Sequence, residues 1–127
     1  MEPPAPPHLL IVDAANVVGS VPDGWWRDRH GATERLRDRL APLAESGLPE
    51  RPGPLEVVLV VEGAARRVAS APPVRTEAAD GSGDDLIVRL VAEAAPDRPV
   101  LVVTADRELR RRVTELGADV TGPRAVR

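Results

Sequence analysis

"LLIVDAANVV", residues 9 to 18, joins an unbroken aliphatic run to an aspartate, with an asparagine three positions further on. Such a run, without polar alternation, suits a strand covered on both faces, as strands of parallel sheets are. The pattern recurs twice. "LEVVLVVEG" (55 to 63) runs into Glu62, and "RPVLVVTAD" (98 to 106) runs into Asp106. Three buried strands are thus expected to finish on carboxylates. The segments between them have helical period. Leu36, Leu40 and Leu43 fall at helical spacing within 32 to 45, and "GDDLIVRLVAEAA" (83 to 95) is amphipathic. In "RELRRRVTELG" Leu109, Val113 and Leu116 point one way, and Gly117 is a natural stop. Strands alternating with helices predict an α/β fold with a mainly parallel central sheet and helices on both faces.

The remaining stretches fill in that frame. Residues 19 to 31 and 46 to 54 are rich in Gly, Pro and Asp and read as loops. "AARRVAS" reads as a helical turn, Val74 to Thr76 as a short strand within a loop, and "ADVTGP" as a last short strand. The expected organisation is a Pro-rich disordered tail over 1 to 7, one domain over 8 to 122, and a C-terminal tail over 123 to 127.

With 127 residues the chain can bury an adequate core without disulfides. That core must be aliphatic, since there is no Phe or Tyr and there are two Trp. Cysteine is absent, which excludes disulfides, thiolate metal sites and thiol nucleophiles. No run approaches transmembrane length. "MEPPAPPH" carries an acid and four prolines, unlike a signal peptide, so a cytoplasmic protein is expected. All seventeen basic residues are Arg, a bias typical of GC-rich bacterial coding, and the net charge is −3. That charge argues against a uniformly basic nucleic-acid-binding surface but permits a local patch.

Ligands of open α/β sheets bind beyond the carboxyl ends of the strands, so Asp13, Glu62 and Asp106 should meet in one crevice. Each acid alone has a structural explanation. Asp106 is placed to cap the helix that follows it, and Asp84 and Asp85 can serve as first-turn acids. Asn16 can orient Asp13, meet a phosphate oxygen, or cap the next turn. Several carboxylates in one cleft repel each other unless a cation neutralises them. An oxygen-only donor set, with His8 and His30 not spaced as ligands, suits Mg²⁺ or Mn²⁺. Metal-assisted phosphodiester hydrolysis follows from that chemistry.

"LLIVDAANVVGS", "LVVEG", "DGSGDDLIVRLV" and "VLVVTADRELRRRV", in that order, resemble the NYN and PIN-like nuclease domains, including the YacP-like bacterial NYN proteins. The resemblance spans residues 8 to 122. Asp13 and Asn16 match the opening strand's Asp and Asn, and Glu62 with Gly63 matches the acid and Gly that end the second strand. Asp84 and Asp85 match the acidic pair that opens a helix, and Thr104 to Asp106 match the last strand's end. The resemblance implies a Rossmann-like, PIN-like three-layer sandwich, Mg²⁺ or Mn²⁺ bound by clustered acids, and endonucleolytic cleavage of RNA. It gives Asp13, Asp84, Asp85 and Asp106 as catalytic ligands. Glu108 stands where a second Asp is common and is expected, as a longer substitute, among the metal ligands; Glu62 stands where Asp is usual and is expected with Asn16 at the substrate; both departures bear on turnover.

RNA contacts are expected from arginines near the acids: Arg107, Arg110 and Arg111 after Asp106, and Arg66 and Arg67 after Glu62. In "GWWRDR" Trp25 and Trp26 lie beside Arg27 and Arg29, a pairing that can stack bases and meet phosphates. The alternative for the arginines is a solvated face, and for the tryptophans a place in the core. The expected partner is single-stranded or structured RNA, with no membrane, and a homodimer stays open. Two other functions compete with a ribonuclease: a PIN-like module that binds RNA or protein with weak or no catalysis, and a nucleotide phosphohydrolase. "DGSGDD" lacks the Lys of a Walker-type phosphate loop, and the absence of Lys also disfavours a receiver-like domain.

Overall fold

The computed structural model describes residues 5 to 127. Strand β1 (His8–Asp13) leads into a short helix α1 (Ala14–Gly19), and a 3-10 turn over Trp25–Arg27 precedes the long helix α2 (Arg29–Ser46). A two-stranded antiparallel clip, β2 (Gly47–Leu48) and β3 (Arg51–Pro52), follows. Then come β4 (Leu55–Val61), a 3-10 turn (Gly63–Ala65), β5 (Val74–Ala78), α3 (Gly83–Ala94), β6 (Val100–Val103), α4 (Arg107–Glu115) and β7 (Asp119–Thr121). The main sheet has the order β5-β4-β1-β6-β7 with every neighbour parallel, as the alternation of strands and helices predicts.

The strands look continuously apolar because successive side chains enter different cores. Leu10, Val12, Val57, Leu59, Val61, Leu101 and Val103 face α1 and α2. Leu9, Ile11, Val58, Val60, Val100 and Val102 face α3 and α4. Helix α2 offers Ala32, Leu36, Leu40 and Ala44, one stripe at four-residue spacing. Helix α3 offers Leu86, Ile87 and Val91, and α4 offers Leu109 and Val113. Each fully buried Leu, Ile or Val contributes about 1.5–3 kcal/mol of transfer free energy, so an all-aliphatic core of this extent suffices.

Several boundaries differ from the sequence reading. Helix α2 starts at Arg29 rather than Ala32, because the Asp28 carboxylate caps it by accepting the Gly31 N–H at 2.9 Å. The loop after α2 contains the small clip. Gly47 makes the turn into it at φ 78°, where a Cβ would collide with the Gly53 nitrogen and the Arg51 carbonyl. Strand β4 stops at Val61 and β6 stops at Val103; Glu62 and Asp106 therefore lie beyond the strand ends rather than on them. Beyond β7 the chain stays on the domain. Val126 is buried in the α1/α2 core and Arg127 donates to the Ser20 carbonyl at 2.7 Å, so 123 to 127 is not a trailing tail. The expected N-terminal tail falls largely on residues 1 to 4, outside the described residues; residues 5 to 7 form no regular element.

At one sheet margin β5 carries Arg75, which pairs with Glu56 and with Glu77, each at 3.1 Å. Chain order reverses around β1: the path runs from β1 to β4 and β5 on one side, then crosses to β6 and β7 on the other. A crevice is expected at that reversal, beyond the ends of β1 and β6.

Leu59 is fully buried at the centre of β4. Leu59→Ala is expected to cost about 2–5 kcal/mol of stability through lost contacts and a residual cavity. Leu116→Ala, at a side chain 41% exposed, is expected to cost under about 1 kcal/mol. Urea unfolding of the two variants beside the parent measures the contrast.

Candidate functional site

At the reversal point two hydrogen bonds tie the segment at the end of β1 to the turn after β6, and a third braces that turn. Thr104, fully buried, donates its hydroxyl to Asp13 Oδ2 at 2.9 Å. The same hydroxyl accepts the Asp106 N–H at 3.2 Å. Asn16 Oδ1 accepts the Ala105 N–H at 2.8 Å. The capping roles are also filled. Asp13 caps α1 through the Asn16 N–H at 3.4 Å, and Asp106 caps α4 through the Leu109 N–H at 2.8 Å. Glu62 reaches across to accept the N–H of Gly83 at the start of α3. A Cβ on Gly83 would stand 3.1 Å from Glu62 Oε2, so glycine there leaves the carboxylate its place. Ser82 caps α3, accepting the Asp84 N–H at 3.1 Å.

These elements surround one open hollow of about 350 Å³, lined by Asp13, Asn16, Glu62, Ser82, Asp84 and Asp106. The carboxylates sense one another there. Burial pushes the Asp13 carboxyl up to about 6, against the bonds from Thr104 and Asn16, and the charges of Asp84 and Glu62 add to the rise. Asp84 is raised as well, first by burial, then by Asp106 and Glu62, with Arg112 opposing. Among the described residues no group of three or more Asp, Glu or His side chains stands in a metal-holding arrangement. The donor chemistry nonetheless fits a hard divalent cation: four carboxylates and an amide share one solvent-open hollow, and their mutual repulsion would be relieved by positive charge.

The other expected site residues lie elsewhere. Of the pair opening α3, Asp84 lines the hollow, whereas Asp85 faces a separate one and pairs with Arg112 at 3.1 Å. Glu108 is exposed on α4 and held by Arg111, whose hydrogen bond keeps its carboxyl below the usual range. Arg111 also pairs with Glu115 at 2.8 Å, so its charge is engaged on the helix surface. Arg110 donates to the Thr104 carbonyl at 2.7 Å and so braces the turn after β6. Arg107 is exposed in the first turn of α4. Arg27 sits 5.9 Å from the exposed Trp26 ring, while Trp25 packs partly on the α1/α2 core and lines a second hollow. Thr104 and Ser82 belong to the site although neither was singled out as a site residue. The Thr-x-Asp spacing was a visible hint for Thr104; Ser82 reads simply as a helix cap.

The comparisons with known proteins bear on this geometry. No family model matches the chain. The mouse tripartite motif-containing protein 3 is 34% identical over 121 residues, which cover 87% of this chain and 15% of that protein. The chain thus spans about 15% of that relative's length. Among solved structures, that of Rae1 (YacP) from Bacillus subtilis, as its W164L mutant, superposes with a TM-score of 0.70 at 19% sequence identity. The match covers 92% of this chain and 70% of that one. The chain therefore has the YacP-like fold, as the resemblance in its sequence implied. No helix among the described residues is long and apolar enough to cross a membrane.

The buried Asp13 has a consequence for stability. Its folded carboxyl titrates near 6, above roughly 3.9 for an unfolded chain. The proton it retains stabilises the fold fully below the unfolded value, and that contribution is lost as pH rises through about 6. Asp13→Asn, which keeps an acceptor without charge, is expected to gain about 2–3 kcal/mol over the parent at pH 7.5 in EDTA, shrinking towards zero near pH 4. Chemical unfolding at the two pH values measures the difference; an equal gain at both would show that charge burial is not the cause.

Proposed function

We propose that the chain is a metal-dependent ribonuclease that hydrolyses RNA phosphodiesters at the hollow beyond β1 and β6. The observation that carries the reading is the meeting of Asp13, Glu62, Asp84 and Asp106 from four separate segments around one open hollow. Structural capping explains the place of Asp13 and of Asp106 singly, but not why Glu62 and Asp84 join them. The YacP-like fold and the resemblance of the sequence to NYN and PIN-like nucleases support the same reading.

Each side chain has a task in this scheme. Asp13, Asp84 and Asp106 would hold Mg²⁺ or Mn²⁺. Bound there, the ion would neutralise the acids, activate water and polarise the phosphate. Thr104 fixes the Asp13 carboxylate by its hydroxyl, and through the Asp106 N–H it ties the two acids into one unit. Asn16 spends its carbonyl on Ala105, which leaves its NH₂ as a donor for a phosphate oxygen. Glu62 is anchored on Gly83 and adds negative charge at the wall of the hollow. No side chain is required as a covalent nucleophile, and the open hollow admits a strand rather than only a small molecule.

A non-catalytic RNA-binding module is the second reading. What favours it is that Asp13, Asp106 and Glu62 all spend carboxylate oxygens on backbone N–H groups, and that Glu108 and Asp85 are drawn off by arginines. The two readings part on turnover. Purified protein incubated with labelled single-stranded RNA in Mn²⁺, Mg²⁺ or EDTA is expected to cut only with metal. Asp13→Asn and Asp84→Asn are each expected to lose at least about 100-fold in rate. Asp85→Asn, outside the hollow, should cut like the parent. Metal-independent cutting shared by all variants would indicate contamination, and RNA binding without cutting in any metal would select the binding module.

A further inference from the structure

Beside the acid hollow lies a second one of about 340 Å³, at the small end of ligand pockets. Ala14, Val18 and Ala65 give it apolar walls, and Trp25, Arg29 and Glu62 give it one aromatic ring and one charge of each sign. Ala15 and Glu62 line both hollows, so the two adjoin. We infer that this second hollow is a base-binding subsite: it takes one unpaired nucleobase of an RNA strand whose neighbouring phosphate lies at the acids. The placement beside a scissile phosphate rests on the ribonuclease reading; the recognition of a base does not.

The wall chemistry selects the ligand. The Arg29 guanidinium lies 5.2 Å from the centre of the Trp25 ring. Among the described residues it has no carboxylate partner. A guanidinium plane laid over an aromatic ring is a surface on which bases stack and to which phosphates bind. Glu62 gives one carboxylate oxygen to Gly83 and keeps the other as an acceptor for an amino or imino N–H on a base edge. Trp25 is held for this task. It packs on the core on one side, and its ring meets Trp26 edge to face at 5.9 Å. A duplex is a poor occupant, since its bases are already stacked and paired. The stacking pair is therefore Trp25 with Arg29, not the more exposed Trp26 with Arg27.

Gly81 offers a way to close the hollow. It lines the pocket, its φ is not in the left-handed region, and a Cβ there meets nothing within 4 Å. Gly81→Leu therefore adds a bulky side chain at the rim of the hollow without a backbone clash. In Trp26→Phe, Trp25 becomes the sole tryptophan and its emission reports the subsite. A single-stranded pentaribonucleotide titrated in EDTA is expected to quench that emission saturably, while a blunt duplex of the same strand does not. Adding Gly81→Leu should weaken pentamer binding by about tenfold or more, read independently from the anisotropy of a labelled pentamer. Pentamer binding without quenching, binding unchanged in Gly81→Leu, or no pentamer binding at all would each overturn the subsite. The nuclease reading is scored separately, by metal-dependent cutting of long RNA. Cutting with no response from Trp25 sinks the subsite alone, and quenching with no cutting in any metal sinks the nuclease reading alone.

Discussion

A carboxylate at the end of the central strand has to be held in a place that is hostile to its charge. Asp13 is 6% exposed, and the hydrogen bond from Thr104 is what makes that burial tolerable. The bond joins residues 91 positions apart, and it closes the reversal point of the sheet from both sides. Through the same hydroxyl, the start of α4 is fixed relative to the start of α1. Asn16 repeats the tie one residue along, on the Ala105 N–H. The position of every acid in the hollow follows from these ties and from the Glu62 link to α3.

This arrangement sets stability against the clustering of charge. Removing the Asp13 charge would relax the fold, because desolvation is the largest cause of its raised pKa. Proteins keep such groups where function needs them, and strongly perturbed carboxyls in a cleft are a recognised mark of active sites. The same burial explains why two helix caps also line the hollow. Capping Asp13 and Asp106 with backbone N–H groups offsets part of the burial cost while leaving each acid at the hollow.

The sheet and its helices were legible because their apolar residues recur at clear periods, and the convergence of Asp13, Glu62 and Asp106 followed from where strands end. What was not legible depends on phase and on distant partners. Asp84 and Asp85 are neighbours about 100° apart around a helix. Which one meets the hollow is decided by Leu86, Ile87 and Val91 docking α3 on the sheet. The different surroundings of Arg27 and Arg29 are set by a single 3-10 turn and by the Asp28 cap that starts α2. The bonds of Arg110 to Thr104 and of Arg111 to the glutamates of α4 were not legible, because those partners only appear once the chain is folded. The C-terminal residues looked spare because a lone valine shows no period, yet Val126 finds a slot in the core.

The outer strand β5 has a consequence for how copies of this chain meet one another. An edge strand leaves one row of backbone groups ready to pair with another chain, and a flat apolar edge invites sheet-to-sheet growth. Here Arg75 and Glu77 stand on that strand, and Arg75 pairs with both Glu77 and Glu56 of the neighbouring strand. A second copy approaching in register would have to strip water from these charges before gaining a single ladder bond. At the opposite edge β7 is three residues long, too short to template much. Charged pairs on one edge strand and shortness of the other are both features that work against sheet-to-sheet growth of an aliphatic-rich chain.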